Sequence, residues 1–161
     1  GPANVIAKMK SLLSHIGAWA PTAEQKAVAK YLPQTEAIHT FLESFKTKIE
    51  DRLHTLYSGF IRLKEKGYPV EAVAPQAAIY LTIKIDLVGT QNSTGEILKS
   101  QSEVTSYLLH EAKLAVVPFS AFGGNVENPW YRMSVGTCKM EDIPEMFEKL
   151  ENALMKLNFS L

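Results

Sequence analysis

The side chain in this sequence best suited to binding chemistry is the guanidinium of Arg132, in the run WYRMSVG. Arg132 lies between Tyr131 and Met133 in a β-type run, so strand alternation places it on the face opposite these two apolar side chains. A guanidinium presents a planar fork of donors that matches a carboxylate in two parallel hydrogen bonds, which a lysine does not reproduce. From these residues alone, anion binding and a surface ion pair both stay open.

The chain before Arg132 is a loop between two β-type runs. The runs cover residues 114–117 and 131–135, and the loop between them is marked by Pro118, Gly123, Gly124 and Pro129. The runs are too far apart for a tight hairpin, so we expect the loop to do more than reverse the chain. Loops held by rigid strands are where binding groups tend to lie.

Other candidate groups are weaker. Gly123 and Gly124 precede a strand and not a helix, so an anion-binding nest there is disfavoured. Cys138 has no histidine near it in sequence and is expected to pack beside the last strand. The histidines have no spacing of three or four residues that would pair them on a helix, so no metal site is predicted. They are His15, His39, His54 and His110.

Composition bounds the class of protein. With 161 residues and 46% apolar content, the chain is long enough for a real core. Lys+Arg and Asp+Glu number 17 each, so neither a nucleic acid nor a membrane surface is a predicted partner. No apolar run reaches the roughly 18 residues of a spanning helix. The single cysteine cannot form an internal disulfide, which fits a reducing compartment, and we expect the protein to be cytoplasmic.

Helical periodicity predicts three helices before the first strand. Two short ones are expected at residues 4–14 and 22–31, the second with Thr22 as N-cap and Gln25 completing a capping box. The longest covers residues 35–66, with one buried stripe along its length. Gly67 is expected to cap it and Pro69 to prevent its continuation.

Strand periodicity dominates the next segment. Residues 71–74 and 78–87 are predicted strands, and the second alternates between apolar and polar side chains, so that one face is core. Helices follow at residues 102–112 and 141–157. Together these elements predict an α+β fold with a long connecting helix and a small open sheet of about three to four strands, its helices packed mainly on one face. On the helix at 102–112, the inward side chains are expected to be Val104, Tyr107, Leu108 and Leu109.

Three motifs give the chain a family resemblance. The segment HEAKLAVVPFSAFGG, followed by WYRMSVG and an acidic amphipathic helix, resembles the C-terminal region of the fold-type I pyridoxal-phosphate-dependent aminotransferases of class I and II. That region has a helix, a short strand, a Pro-Gly-Ser-x-Phe-Gly turn, an arginine on a strand and a last helix. Two departures are Lys113, where the family has Gly, and Phe119, where it has the Gly after Pro. The first removes an easy helix cap, and the second places a bulky ring on the turn.

Two further segments extend the resemblance. The run IAKMKSLLSHIGAWAPTAEQKAVAKYL is similar to the region after the family's cofactor lysine, where a turn, here residues 17–21, lies near the dimer interface. An ordinary helix-loop-helix is an equally good interpretation of that run. The strand at 78–87 resembles a Pro-x-Gly-Ala-Phe-Tyr strand, with Ala77 in place of Gly. The resemblance implies that residues 1–34 are a helical segment following a large cofactor domain, and that residues 35–161 are the small domain.

The resemblance also implies roles and partners. Arg132 would bind the α-carboxylate of an amino acid or 2-oxo acid in a homodimeric parent enzyme that uses pyridoxal 5'-phosphate. No cofactor-lysine motif, phosphate-binding loop or acid for the cofactor ring is found here, so no catalytic, cofactor-binding or metal-binding residue is assigned. We therefore expect this chain alone to be inactive and to bind no cofactor. Its remaining partner would be its own large domain.

A different class of function stays open. The chain could be a stand-alone α+β binding or dimerisation module without catalysis. Such a module should show no large exposed apolar patch, whereas a domain separated from its partner should show one.

Overall fold

The structure is a computed structural model that describes residues 1–18, 20–93, 95–136 and 138–159. The chain divides into two units, Gly1–Phe45 and Lys46–Leu161. In the described part of the chain, no helix is both long and apolar enough to cross a membrane. The expected turn at residues 17–21 includes Trp19, which lies outside the described residues.

The first unit is helical. Helix α1 covers Ala3–Ile16 and helix α2 covers Thr22–Tyr31, and neither buries a side chain. The predicted capping box is wrong: Thr22 is already helical, and Pro21 occupies the N-cap position without a side-chain cap. Gln25 instead donates from Nε2 to the carbonyl oxygen of Ala20 at 2.6 Å. The large apolar side chains that α1 exposes are Val5, Ile6, Met9, Leu12, Leu13 and Ile16.

Helix α3 covers Thr35–Glu65, close to the predicted range. As expected, Gly67 stops the helix: it follows the last turn with a φ of 93°, a left-handed conformation that glycine adopts without strain. The backbone N–H of Tyr68 reaches the carbonyl of Leu63 at 3.2 Å, which closes the helix in a Schellman motif. The stripe predicted to be buried along the whole helix is buried only in its later part, since Phe41, Leu42 and Phe45 are exposed. The buried residues all lie in the second unit, namely Ile49, Leu53, Leu56, Gly59, Phe60 and Leu63.

The second unit contains a four-stranded antiparallel sheet. Its strands are β1 (Val70–Ala72), β2 (Tyr80–Ile85), β4 (Val117–Pro118) and β5 (Trp130–Ser134), in the order β1-β2-β5-β4. Two shorter strands, β3 (Gln91–Asn92) and β6 (Leu157–Asn158), pair with each other. Helices α4 (Gln101–Glu111) and α5 (Ile143–Met155) complete the unit. The α+β prediction is therefore confirmed.

The alternation predicted for β2 is confirmed. Leu81, Ile83 and Ile85 are fully buried, whereas Thr82 and Lys84 between them are partly exposed. The buried side chains join one core cluster with residues of α3, α4 and α5, among them Phe60, Leu108 and Leu150. One face of the sheet is thus covered by helices and the other presents polar side chains.

Three further local predictions are wrong. The strand expected at 114–117 pairs only at Val117–Pro118, because the N–H of Leu114 donates instead to the carbonyl oxygen of Leu108 at the end of α4, at 3.0 Å. Leu109, expected to face inward, is 49% exposed, since it lies about 100° around the helix from buried Leu108. The last helix begins after a 3-10 turn at Met140–Asp142, and Leu157 belongs to β6 and not to the helix.

Lys113 takes the conformation that a glycine would take. Its φ is 54°, left-handed, at the end of α4 where Ala112 is the C-cap. Its Nζ donates to the carbonyl oxygen of His110 at 2.7 Å. The lysine therefore ends the helix despite its Cβ, and its own side chain satisfies one of the terminal carbonyls.

Candidate functional site

Strand β5 presents Arg132 on the polar face of the sheet. Arg132 is opposite Thr82 of β2 on one side and opposite Val117 of β4 on the other. Its neighbours Tyr131 and Met133 point into the core and are 0% and 7% exposed, while Arg132 is half-buried. Period-two alternation, fixed by burial of the other face, determines where the guanidinium points.

Two aromatic rings flank the guanidinium. The Cζ atom of Arg132 lies 4.4 Å from the centroid of the Tyr80 ring and 4.2 Å from that of the Phe122 ring. Both distances are within the roughly 6 Å over which a cation is attracted to a ring face. We call Tyr80 and Phe122 the aromatic clamp. A guanidinium that stacks on rings keeps its N–H donors in its own plane, where a planar acceptor can meet them.

The donors of Arg132 have no acidic partner in the described part of the chain. No carboxylate there lies within 4.0 Å of its nitrogen atoms. Lys84 on the same face of the sheet, by contrast, pairs with Asp86 at 3.1 Å. The arginine is therefore held by rings and not by charge, and its donors are available to an anion.

A short turn brings Phe122 to the arginine. Residues Phe119–Phe122 form a 3-10 turn that ends at Gly123, whose φ is 84°. The N–H of Gly124 donates to the carbonyl oxygen of Phe119 at 3.1 Å. A Cβ at Gly124 would lie 2.9 Å from that same oxygen, so the turn closes only without a side chain there. The ring beside Arg132 is that of Phe122, and Phe119 lies half-buried at the start of the turn.

The opposite face of β5 is fixed by a buried polar network. The side-chain amide of Gln101 donates to the hydroxyl of Tyr131, and Thr105 Oγ1 lies 3.3 Å from the same hydroxyl. Both partners are on α4. Burial raises the pKa of Tyr131, against the opposite effect of its hydrogen bonds with Thr105 and Gln101. The network ties the strand to the helix at the residue next to Arg132.

Sequence reasoning identified Arg132 but not the residues around it. Alternation along the strand predicted at 78–87 puts Tyr80 on its polar face, and Phe122 falls in the turn motif, but neither pattern links these residues to the arginine. The available signal was that Tyr80 and Arg132 lie on polar faces of predicted strands, but strand order was needed to make them neighbours. The contact between Gln101 and Tyr131 had no sequence signal.

A cleft elsewhere in the second unit does not include Arg132. It has a volume of about 810 Å³ and lies along α4, with Tyr107, Glu111 and Lys156 in its lining. Its polar groups bind one another: Lys156 Nζ lies 2.8 Å from a carboxylate oxygen of Glu111, and the Tyr107 hydroxyl donates to a backbone carbonyl. Lys156 lowers the pKa of Glu111 through this hydrogen bond. Because these groups already have partners, we assign no ligand to the cleft.

No lysine among the described residues is fully shielded from water. Among described residues every lysine is exposed except Lys84, which is half-buried and paired with Asp86. A lysine that holds a cofactor as an imine needs a site shielded from water and an acid beside the cofactor ring.

Cys138 is half-buried against the core, and burial raises the pKa of its thiol, which disfavours the nucleophilic thiolate.

Comparison with known proteins gives a consistent family. A family model described as aminotransferase class I and II matches residues 1–150. An aspartate aminotransferase of Bacillus subtilis (strain 168) is 31% identical over 158 residues, which is 97% of this chain and 36% of that protein. A probable aspartate/prephenate aminotransferase of Rickettsia typhi is 34% identical over 94 residues, 58% of this chain and 23% of that protein.

Solved structures agree with the sequence matches. The crystal structure of an aromatic aminotransferase from Pyrococcus horikoshii OT3 superposes with a TM-score of 0.70 and 27% identity, over 96% of this chain and 37% of that one. The aspartate aminotransferase of Rhizobium meliloti gives a TM-score of 0.61 and 25% identity, over 73% and 28%. The chain spans between 20% and 36% of the length of the curated relatives that it matches.

Proposed function

This chain belongs to the family of class I and II aminotransferases, and we propose on that basis that it forms the small domain of an enzyme that moves an amino group between an amino acid and a 2-oxo acid. Residues 35–161 would be that domain, and residues 1–34 a helical segment that follows the cofactor domain. The fraction of the relatives' length that the chain covers, together with its α+β layout, supports this assignment.

Arg132 is the residue we assign to the substrate. The observation that carries the assignment is a guanidinium flanked by two rings, with no carboxylate partner among the described residues. A bidentate, charged hydrogen bond to a substrate α-carboxylate contributes roughly 1.5–3 kcal/mol. Because the guanidinium would bind both carboxylate oxygens, it would orient the carboxylate as well as attract it.

The cofactor in this proposal is pyridoxal 5'-phosphate, and other parts of the enzyme would hold it. When bound, it supplies an electron sink for a carbanion at the substrate α-carbon. This chain's part is to bind and orient the carboxylate, so alone it should neither bind the cofactor nor turn over substrate. A cytoplasmic location, expected from the single cysteine, and a homodimeric state, implied by the family resemblance, remain part of the proposal.

The test uses the longest product of the gene that encodes this chain. We expect that protein to show cofactor absorbance and to transaminate. Because the curated relatives are named for aspartate, aspartate with a 2-oxo acid acceptor is the first substrate pair to try. An absence of cofactor absorbance in that protein would count decisively against the proposal.

The assignment of Arg132 has its own test in the same protein. Arg132→Met should lower kcat/KM for the amino acid by about 10- to 100-fold, which corresponds to the loss of one charged bidentate pair. Cofactor absorbance should stay unchanged. Lys84→Met is the matched control, because it removes a cation from the same face of the sheet that already has an internal partner. Equal losses in the two variants would contradict the role of Arg132.

The stand-alone module is the second candidate, and one observation favours it: the second unit has its own hydrophobic core. The exposed apolar stripe of α1 favours the aminotransferase domain instead, because such a stripe needs a partner surface. Binding of a dye that reports exposed apolar surface separates the two. Strong binding to this chain, lost in the longest gene product, is expected for the aminotransferase domain.

A further inference from the structure

We propose that Tyr80 and Phe122 are positioning residues for Arg132, and that the Gly123–Gly124 pair serves to bring Phe122 to the guanidinium. The inference rests on the proposed function, because it concerns how the carboxylate site is kept ready for its ligand. Neither ring needs to touch the substrate; each acts through the arginine.

The two rings of the aromatic clamp are supported differently. Tyr80 is the first residue of β2 and is paired with Ser134 of β5, so the sheet itself fixes it beside the arginine strand. Phe122 ends a 3-10 turn and is 54% exposed. Burial in the core therefore does not determine the position of the Phe122 ring. The contact of this ring with the guanidinium, 4.2 Å from ring centroid to Cζ, stabilises the ring in that position.

The glycine pair explains how an exposed ring is kept in place. Gly123 has a φ of 84°, which reverses the chain directly after Phe122. The next residue passes so close to Phe119 that an added Cβ would lie 2.9 Å from its carbonyl oxygen. The hydrogen bond from the Gly124 N–H to that oxygen, at 3.1 Å, then closes the turn. The pair thus supports the ring and not an anion.

The gain for binding is preorganisation. A free arginine side chain loses much rotamer freedom when it binds a ligand, and this loss weakens binding. Rings that restrict the guanidinium beforehand remove part of that loss. The typical cost of immobilising one such side chain corresponds to an affinity change of about two- to tenfold.

The experiment uses this whole chain, labelled with 15N, in solution. The arginine Nε–H signals report the ring-current field at each guanidinium, and Arg132→Lys identifies the signal of Arg132. Acetate is the probe for a carboxylate, titrated while that signal is followed. We expect Phe122→Leu and Tyr80→Leu to move the signal and to weaken acetate binding by about two- to tenfold.

Further variants separate positioning from folding. Phe122→Tyr and Tyr80→Phe retain the rings and should retain both the signal position and the acetate affinity. Gly124→Ala should behave like Phe122→Leu although it touches neither ligand nor arginine. Gly136→Ala is its matched control, because an added Cβ there meets nothing closer than 3.8 Å and no positive φ is involved. Unchanged backbone signals in α5, which packs in the core and contains none of the substituted residues, identify variants that are folded.

The outcomes distinguish this inference from the function on which it rests. An Arg132 signal that does not respond to acetate in the unaltered chain would overturn the proposed role of Arg132 and this inference with it. A responsive signal whose position and acetate affinity are the same in Phe122→Leu would overturn the inference alone. The same holds if Gly124→Ala and Gly136→Ala prove identical.

Discussion

Tyr131 and Arg132 are neighbours on one strand, but their polar groups lie in different environments on opposite faces of the sheet. The hydroxyl of Tyr131 points into the core, where Gln101 and Thr105 of α4 bind it. The guanidinium of Arg132 points to the other face, where two rings flank it and no described carboxylate pairs with it. The polar group on the inner face of the sheet therefore has partners within the chain, whereas the polar group on the outer face has donors that remain available.

The difference separates a polar group that stabilises the fold from a polar group that can bind a ligand. A buried polar group left without a partner costs about 1–3 kcal/mol. The Tyr131 hydroxyl avoids this cost through Gln101 and Thr105, although the side-chain oxygen of Gln101 has no partner in the described part of the chain. On the outer face this cost does not arise, because water or a ligand can hydrogen-bond to a polar group there. The inner network fixes the strand, and the fixed strand then holds a cation whose donors remain available.

The largest expected effect compares side chains on the two faces of β2. Ile83→Ala should lower the free energy of unfolding by about 2–5 kcal/mol, because Ile83 is fully buried and its loss leaves a cavity. Thr82→Ala, one residue away on the polar face, should cost less than about 1 kcal/mol. Urea denaturation of both variants measures the contrast, and similar costs would show that both faces are core.

The next effect tests the inner network. Tyr131→Phe should lower the free energy of unfolding by about 1–3 kcal/mol, because the buried amide of Gln101 loses its acceptor. Tyr68→Phe is the control: the Tyr68 ring contacts Phe159, and its hydroxyl has no partner in the described part of the chain. A cost for Tyr131→Phe no larger than for Tyr68→Phe would mean that the network does not hold the strand.

Alkaline pH should destabilise the second unit. Burial raises the pKa of Tyr131, and burial together with Glu111 raises that of Tyr107. Their unfolded forms ionise near pH 10, so the stability linked to them is complete below that pH and is lost as pH rises through the folded pKa values. Denaturation midpoints from pH 8 to 11.5 should therefore fall, and less steeply in Tyr131→Phe. A parallel fall in that variant would exclude Tyr131 as a source.

The smallest effect is expected at Arg132 itself. Arg132→Met should change the free energy of unfolding by no more than about 1 kcal/mol, since only two partly exposed ring contacts are lost. The large effect of this substitution is expected on carboxylate binding. A loss of stability comparable to that of Tyr131→Phe would assign Arg132 to the fold and break the contrast between the two faces.

The parts predicted correctly from sequence depend on local periodicity. Alternation along β2 placed Ile83 inside and Lys84 outside, and alternation along β5 placed Arg132 opposite Tyr131. Both follow from the two-residue period of a strand with one buried face. The end of α3 at Gly67 was likewise a local matter of backbone conformation.

The parts that sequence did not predict depend on distant segments. Asn92 pairs with Leu157, which takes Leu157 out of the predicted last helix. Gln101 and Tyr131 are 30 positions apart, and nothing in either segment indicates the other. Phe122 reaches Arg132 only because strand order and a glycine-closed turn combine. Contacts of this kind are set by packing of the whole unit, which overrides local pattern.

Helices α1 and α2, of 14 and 10 residues, bury no side chain. Helices of about 12–15 residues or fewer are marginal in water, so in the isolated chain their amide hydrogens should exchange with deuterium within seconds. Amides of β2 should exchange only when the whole unit opens. A protease added to the native chain would for the same reason cut first within residues 1–34, long before it reaches the sheet.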